Sequence, residues 1–235
     1  MQVLNDAMDG DFRLHYRRPL VIVGGGRTEP ELLTRCENQG WAFVAADGGA
    51  DNCKAAGIIP DAIIGDMDSV TDLKGWQART RVIPVPEQET TDFEKCLNAT
   101  QAPVWIGVGM TGGHIDHTLA ALDASARHAA RAPVIFVDER DLVLATTGAF
   151  SFALSAGERI SVHPLTEIHF KLSGGLDYPL DGVTLAPGVK TGTSNSAATG
   201  PVRIEPADQS IPWLVILDRR HLESVVAQVA GSIPT

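Results

Sequence analysis

The sequence predicts an α/β fold: an N-terminal parallel-sheet domain over residues 1–141, followed by a smaller antiparallel β-sandwich domain over 142–235. Three observations predict it. Short apolar runs (Leu20-Val21-Ile22-Val23, Ala42–Ala46, residues 60–64) alternate with helical stretches, the cadence of βα units. These runs stop at Gly24-Gly25-Gly26, Asp47-Gly48-Gly49 and Gly65-Asp66-Met67-Asp68, which sets glycines and carboxylates at strand tips, where open α/β sheets hold ligands. From about Leu142 the pattern changes to short alternating runs punctuated by Gly, Pro and Asp, with no strong helical period between them.

In chain order, residues 1–18 read as an irregular lead-in of mixed charge, unlike a secretory signal. Residues 20–23 are a strand. The three glycines after it suit either backbone close to a phosphate or a tight βα turn, and they lack the GxGxxG order of a dinucleotide site. A helix follows over 29–38 with Pro30 in its first turn. Strand 42–46, helix 49–56 and strand 60–64 complete the opening units, with Gly57 as the helix stop. Strand 82–85 precedes a helix to about Ala99 that opens on a capping box, Thr91 with Glu94. Asp92 sits in the first turn, where the helix dipole favours a carboxylate, and Lys95 lies one turn on, on the same side. That pair reads as an intrahelical ion pair or as part of a site. Strand 104–108, the glycine-rich turn 109–113 and a helix to about Ala130 offer N–H groups to an anion. Asp116 is either that helix's N-cap or a metal or substrate contact. His114 and His117 lack HExxH spacing and do not make a zinc site. Strand 134–137 closes the sheet, with Asp138 at its tip.

In the second half, strands are expected over 150–154, 159–163, 168–172, 202–205 and 213–217, and a terminal helix over 222–229. The stretch 188–200 is a flexible or a polar binding loop. Its Gly188-Val189-Lys190-Thr191 lacks the order of a P-loop.

The bulk properties narrow the chemistry. The net charge of −10 argues against nucleic acid, and a polyphosphate would need a metal and local cations to approach. A cationic organic substrate would be attracted. No run reaches the length of a membrane span, and the mean hydropathy is +0.02. Cys36, Cys53 and Cys96 are scattered without a CxxC, as in a cytoplasmic protein with reduced thiols.

The sharpest feature is Asp66-Met67-Asp68-Ser69. Two close carboxylates repel unless a positive charge lies between them, and Mg²⁺ binds through one or two carboxylates, waters and substrate phosphates. A Mg²⁺–phosphate site is one reading and an Asp-rich turn is the other.

Four segments, in this order, resemble thiamine pyrophosphokinases: Ala46-Asp47-Gly48-Gly49-Ala50, Gly65-Asp66-Met67-Asp68-Ser69, the stretch from Gln88 through Thr91-Asp92-Phe93-Glu94-Lys95 to Cys96, and Gly112-Gly113-His114-Ile115-Asp116-His117. Gly175-Leu176-Asp177-Tyr178-Pro179-Leu180 with Gly192-Thr193-Ser194-Asn195 is a weaker fifth. The resemblance implies transfer of pyrophosphate from ATP to the hydroxyl of thiamine, giving AMP and thiamine diphosphate, in a homodimer with its sites at the interface. It implies an ATP/Mg²⁺ domain first and a thiamine-binding sandwich second. By motif, Asp66, Asp68 and Asp92 would hold Mg²⁺, and these three with Lys95 and Asp116 would form the catalytic set. Asp47, Gln88, Thr91 and His114 would line the nucleotide. Ser194 and Asn195 would seat the thiamine pyrimidine, with Trp213 as an aromatic wall. His114 stands where the family usually has arginine, which grips phosphate bidentately and is always charged. Ser196 replaces a residue that is often larger and polar. Two other functions keep the aspartates: a pyrophosphokinase for another alcohol such as a hydroxymethylpterin, and a non-catalytic nucleotide-binding module.

Overall fold

The computed structural model describes residues 14–231, so residues 1–13 of the expected lead-in lie outside the described part. The elements in order are β1 (Leu14–His15), β2 (Leu20–Val23), α1 (Pro30–Asn38), β3 (Ala42–Ala46), α2 (Gly49–Ala55), β4 (Ala62–Gly65), α3 (Leu73–Gln77), β5 (Arg81–Pro84), α4 (Asp92–Ala99), β6 (Thr100–Gln101), β7 (Trp105–Val108), α5 (Ile115–His128) and β8 (Val134–Val137). There follow β9 (Asp141–Thr146), β10 (Phe150–Phe152), β11 (Arg159–Pro164), β12 (Ile168–Gly174), β13 (Val183–Leu185), β14 (Gly192–Ser196), β15 (Val202–Pro206), β16 (Trp213–Asp218), a 3-10 turn (Arg219–His221) and α6 (Leu222–Gly231). Residues 14 and 15 are therefore strand, paired with β6, rather than irregular.

A ten-stranded sheet in the order β14-β11-β16-β9-β8-β7-β2-β3-β4-β5 runs through the molecule. From β5 to β8 all pairings are parallel, and from β8 through β9, β16 and β11 to β14 they are antiparallel. Residues 134–137 thus do not end the sheet, as their sequence suggested. β9 pairs along β8 across residue 141, so the expected domain boundary falls inside a continuous sheet. A second, antiparallel sheet has the order β10-β15-β12-β13.

Why the parallel strands β2, β3, β4, β7 and β8 are apolar throughout follows from this layering: each is buried on both faces, while the edge strand β5 is partly exposed. Along β2, Val21 and Val23 enter one apolar cluster and Leu20 and Ile22 the other. The first cluster joins Leu33 of α1, Cys53 of α2 and Val225 of α6 to Phe170 and Ile204 of the four-stranded sheet. The second holds Phe93 and Leu97 of α4 with Ala121 and Ala124 of α5. α4 and α5 therefore share one face, and the strand tips of β3, β4, β2, β7 and β8 share one rim.

The Gly24-Gly25-Gly26 turn is closely packed at its first and third glycines. A Cβ at Gly24 would lie 2.7 Å from the Gly109 carbonyl oxygen, and one at Gly26 2.5 Å from it. Two strand-end turns press together there, and the Asn52 amide donates to the Gly24 and Gly26 carbonyls at 2.7 and 2.9 Å. Of the two readings of these glycines, the tight βα turn is the one present.

Candidate active site

The site grows from the tips of β3 and β4 and the first turn of α4. Asp47 leaves β3 in a left-handed conformation, φ 43°, with its N–H donated to the Ile64 carbonyl at 2.9 Å. Met67, between Asp66 and Asp68, is also left-handed at φ 70°, an uncommon setting for a long side chain. Gly65 is the residue that lets the tips close: a Cβ there would sit 2.7 Å from Asp47 Cβ and 3.0 Å from Asp92 Oδ1. The outcome is a cluster in which carboxylate oxygens of Asp47, Asp66 and Asp68 all lie within 4.8 Å of one another.

Around it the hydrogen bonds are specific. Gln88 Nε2 donates to Asp66 Oδ2 at 2.8 Å, and the Asp68 N–H to Asp66 Oδ1 at 3.2 Å. Ser69 Oγ donates to Asp68 at 2.7 Å, and the Ser69 N–H to Asp47 Oδ2 at 3.0 Å. Lys95, 3% exposed, places Nζ 3.0 Å from Asp92 Oδ1 and 3.8 Å from Asp66 Oδ2. Burial opposes the charge of Lys95, but the hydrogen bond to Asp92 and the charges of Asp92, Asp66 and Glu87 outweigh it, so its pKa rises and it stays cationic. Burial pushes the Asp47 carboxyl above its ordinary range, and the Asp92 charge adds to this. The Gln88 amide, the Asp68 N–H and the Lys95 charge hold Asp66 below that range.

Asp47 Oδ1 is buried without a hydrogen-bond partner. An orphaned buried carboxylate oxygen facing two further carboxylates is an all-oxygen donor set, and it fits a hard divalent cation such as Mg²⁺. Asp92 stands beside this trio, tied to Lys95; the oxygens that lie within 4.8 Å of one another are those of Asp47, Asp66 and Asp68, two of the three residues the motif reading names together with Asp47. Its sequence signal was the aspartate at a strand tip followed by two glycines.

The other expected residues fall out as follows. Thr91 caps α4, its Oγ accepting from the Glu94 N–H at 3.4 Å. The reciprocal half of the capping box is missing, because the Glu94 carboxylate turns to Arg127 at 3.0 and 2.7 Å. Asp116 is not the N-cap of α5; His114 is, and Asp116 accepts from the His117 N–H at 2.9 Å in the first turn. His114 and His117 are exposed with ring centroids 6.0 Å apart, and among the described residues they join no metal-ligating group. Residues 192–196 are strand, not loop. Ser194 is left-handed at φ 55°, its N–H donated to Ser161 Oγ at 2.9 Å. Asn195 is buried and its amide is committed: Nδ2 donates to the Tyr178 carbonyl at 2.7 Å, and Oδ1 accepts from the N–H groups of Tyr178 at 3.1 Å and Ser196 at 2.9 Å. It shapes the polypeptide under Tyr178, a residue 69% exposed that stands in the fifth motif but to which the motif reading gives no role. Trp213 is 0% exposed, edge-on to Phe150 and Phe170, with Nε1 donated to the Gly148 carbonyl at 3.1 Å. The expected aromatic wall is a core residue, with no face open to a ligand.

Residues 34–136, which hold all of the carboxylates and Lys95, match the family model of the thiamin pyrophosphokinase catalytic domain. Over those residues the chain is similar to the thiamin pyrophosphokinase catalytic domain. The match supports an enzyme that moves pyrophosphate from ATP to thiamine, and neither of the other two functions is favoured. Solved thiamin pyrophosphokinases share the fold. The one from Geobacillus thermodenitrificans is 22% identical with TM-score 0.72, over 85% of this chain and 97% of that one. The Candida albicans protein is 15% identical with TM-score 0.72, over 90% and 95%. The yeast protein is 13% identical with TM-score 0.73, over 93% and 94%. The fold is thus shared at low identity. Among the described residues, no helix is long and apolar enough to cross a membrane.

Proposed function

We propose that this chain carries out the transfer at the strand rim, with Asp47, Asp66 and Asp68 as the residues that hold Mg²⁺ and Asp92 and Lys95 completing the site. The observation that carries this reading is the three-carboxylate cluster with its orphaned Asp47 oxygen, set beside a buried lysine. Bound Mg²⁺ would supply neutralisation of phosphate oxygens, the main demand of phosphoryl-type transfers. The chain's own residues do the rest. Gln88 fixes the Asp66 carboxylate by its 2.8 Å hydrogen bond. Lys95 gives the rim its positive charge, and the first turn of α5, with His114 and Asp116, faces the nucleotide. The thiamine hydroxyl attacks the β-phosphorus. A new O–P bond forms, the bond from that phosphorus to the bridging oxygen breaks, and AMP leaves with the electron pair. The hydroxyl proton passes to a carboxylate, Asp116 or Asp68.

We also propose that the working unit is a homodimer. β14, which bears Ser194 and Asn195, lies eight strand steps from β4 in the sheet. At about 4.8 Å per step that is about 38 Å along the sheet, too far for one small substrate to bridge. If residues 142–235 seat thiamine, those of one protomer serve the carboxylates of its partner. The three buried free thiols fit a cytoplasmic setting.

The test is AMP release from ATP and Mg²⁺ with thiamine, with a hydroxymethylpterin, and with neither. Thiamine-dependent AMP supports the reading, and AMP only with the pterin defeats it. Mixing inactive Asp66→Asn protein with Asn195→Ala protein, which is impaired for thiamine, should raise the rate at low thiamine above that of either alone if sites are shared; no gain in a confirmed mixed dimer refutes the sharing.

A further inference from the structure

Glu94 is an acidic residue in the first turn of α4 that faces away from the carboxylate rim and is only 9% exposed. Both its oxygens are taken by one guanidinium on α5: Arg127 Nε donates to Oε1 at 3.0 Å and Nη2 to Oε2 at 2.7 Å. Such a fork sets distance and orientation together, which a single contact does not. His128, 7% exposed, backs it with Nε2 3.6 Å from Glu94 Oε1. Arg131 Nη1 lies 2.8 Å from His128 Nδ1 and has only protons to offer, so Nδ1 is the acceptor and the ring proton is on Nε2, toward Glu94. Arg131 is itself held over the Trp105 ring at 5.0 Å and by the Thr100 carbonyl at 3.1 Å.

Successive side chains on a helix are about 100° apart, so anchoring one fixes where its neighbours point. Lys95 follows Glu94, and Asp92 lies just before it. A rotation of α4 would carry Lys95 Nζ away from Asp66 and Asp92 together.

We propose that Glu94 is a positioning residue for pyrophosphate transfer: its fork with Arg127 fixes the rotation of α4 against α5 and so holds Lys95 between Asp92 and Asp66. The proposal rests on the reading of Asp92 and Lys95 as site residues.

The test measures kcat, KM for thiamine and melting temperature for Glu94→Ala, Glu94→Gln, Arg127→Leu, Arg127→Lys, the double Glu94→Ala/Arg127→Leu, and Asp123→Asn. Asp123 is the other partner of Arg127 and lies outside the site. Glu94→Ala and Arg127→Leu should each lower kcat about tenfold or more, as small misplacements of reacting groups do, with KM changed less than about twofold. The double variant should be no worse than the worse single, because both break one interaction. Arg127→Lys should recover part of the loss, and Asp123→Asn should stay within about twofold of the parent. If melting temperature falls while kcat is unchanged, Glu94 is structural only and the proposal is overturned. Should Glu94→Ala fail to fold, the near-isosteric Glu94→Gln decides by the same kcat criterion. Lys95→Met and Asp92→Asn are run in parallel. If both remain active, the site reading itself falls and the proposal with it. If both are inactive while Glu94→Gln and Arg127→Leu keep full kcat, only the positioning role is refuted.

Discussion

Asp47→Asn should make the metal-free protein more stable and the enzyme inactive. Asp47 is 2% exposed, Oδ2 accepts from the Ser69 N–H, and Oδ1 has no partner. An asparagine of the same shape keeps the first bond and puts an NH₂ donor where the orphaned acceptor stood, facing carboxylates. One gained hydrogen bond and one lost buried charge amount to about 1 kcal/mol net, or about 2–4 °C in melting temperature for a chain of this size. Mg²⁺ at ten times its dissociation constant would add about 1.4 kcal/mol to the parent and little to the variant. Thermal melts in EDTA and in Mg²⁺ should therefore rank the two proteins in opposite order. The pH dependence follows from the raised Asp47 carboxyl. A carboxyl whose folded pKa exceeds its unfolded value favours the fold when protonated and loses that contribution as pH rises through the folded value. The advantage of the variant in EDTA is thus full near neutrality and fades as the pH falls toward about 4, where the parent also carries a neutral side chain. Lower stability of the variant in EDTA at neutral pH, or an equal Mg²⁺ shift in both proteins, would refute the reasoning.

Three further outcomes are expected. Lys95→Met should lower kcat about 10²-fold by removing the one ammonium of the rim, and Lys95→Arg should keep a fraction of the rate, measured as AMP release at saturating substrates. Gly49→Ala should destabilise by about 3 kcal/mol or more in urea titration, since its Cβ would lie 1.8 Å from the Val23 carbonyl oxygen and α2 could start only by displacing β2. Asn195→Ala removes three hydrogen bonds to backbone; at about 1 kcal/mol each it should cost about 3 kcal/mol of stability and raise KM for thiamine, while the Mg²⁺ concentration for half-maximal rate stays unchanged.

How much of this was legible beforehand depended on whether the interaction is local. Strand tips and their aspartates could be read because apolar runs, glycines and carboxylates succeed one another along the chain. The same reading missed where Glu94 goes: a threonine three residues before a glutamate signals a capping box, and nothing local reveals an arginine 33 residues later that competes for the carboxylate. Trp213 misled for a similar reason. The family resemblance made it a ligand wall, yet β16 lies between β9 and β11, and pairing on both sides drives its ring into the core. Asn195 was assigned to the thiamine pyrimidine by resemblance, and its part as a backbone brace was hidden because it depends on Tyr178, 17 residues earlier. The sheet's continuation past β8 was hidden by a change from parallel to antiparallel pairing, which alters connection lengths and so mimics a domain boundary.

The charges gathered at the rim would suit a cation. Asp47, Asp66, Asp68 and Asp92 converge with Lys95 as the one ammonium among them, in a chain of net charge −10. A bare triphosphate approaching that rim meets repulsion both at contact and at range, while a thiazolium cation is drawn in. The orphaned Asp47 oxygen and the left-handed Asp47 and Met67 are local destabilisations that a metal-free fold does not need. Strain and unpaired polar atoms gathered at one rim persist only when the surrounding structure holds them there. Here Gly65, which alone leaves room for Asp47 and Asp92 side by side, and the buried flank of α4 do so. The fold thus keeps a deficit of positive charge in place, and under the proposed reading a nucleotide would reach this rim only with its phosphate charge already offset.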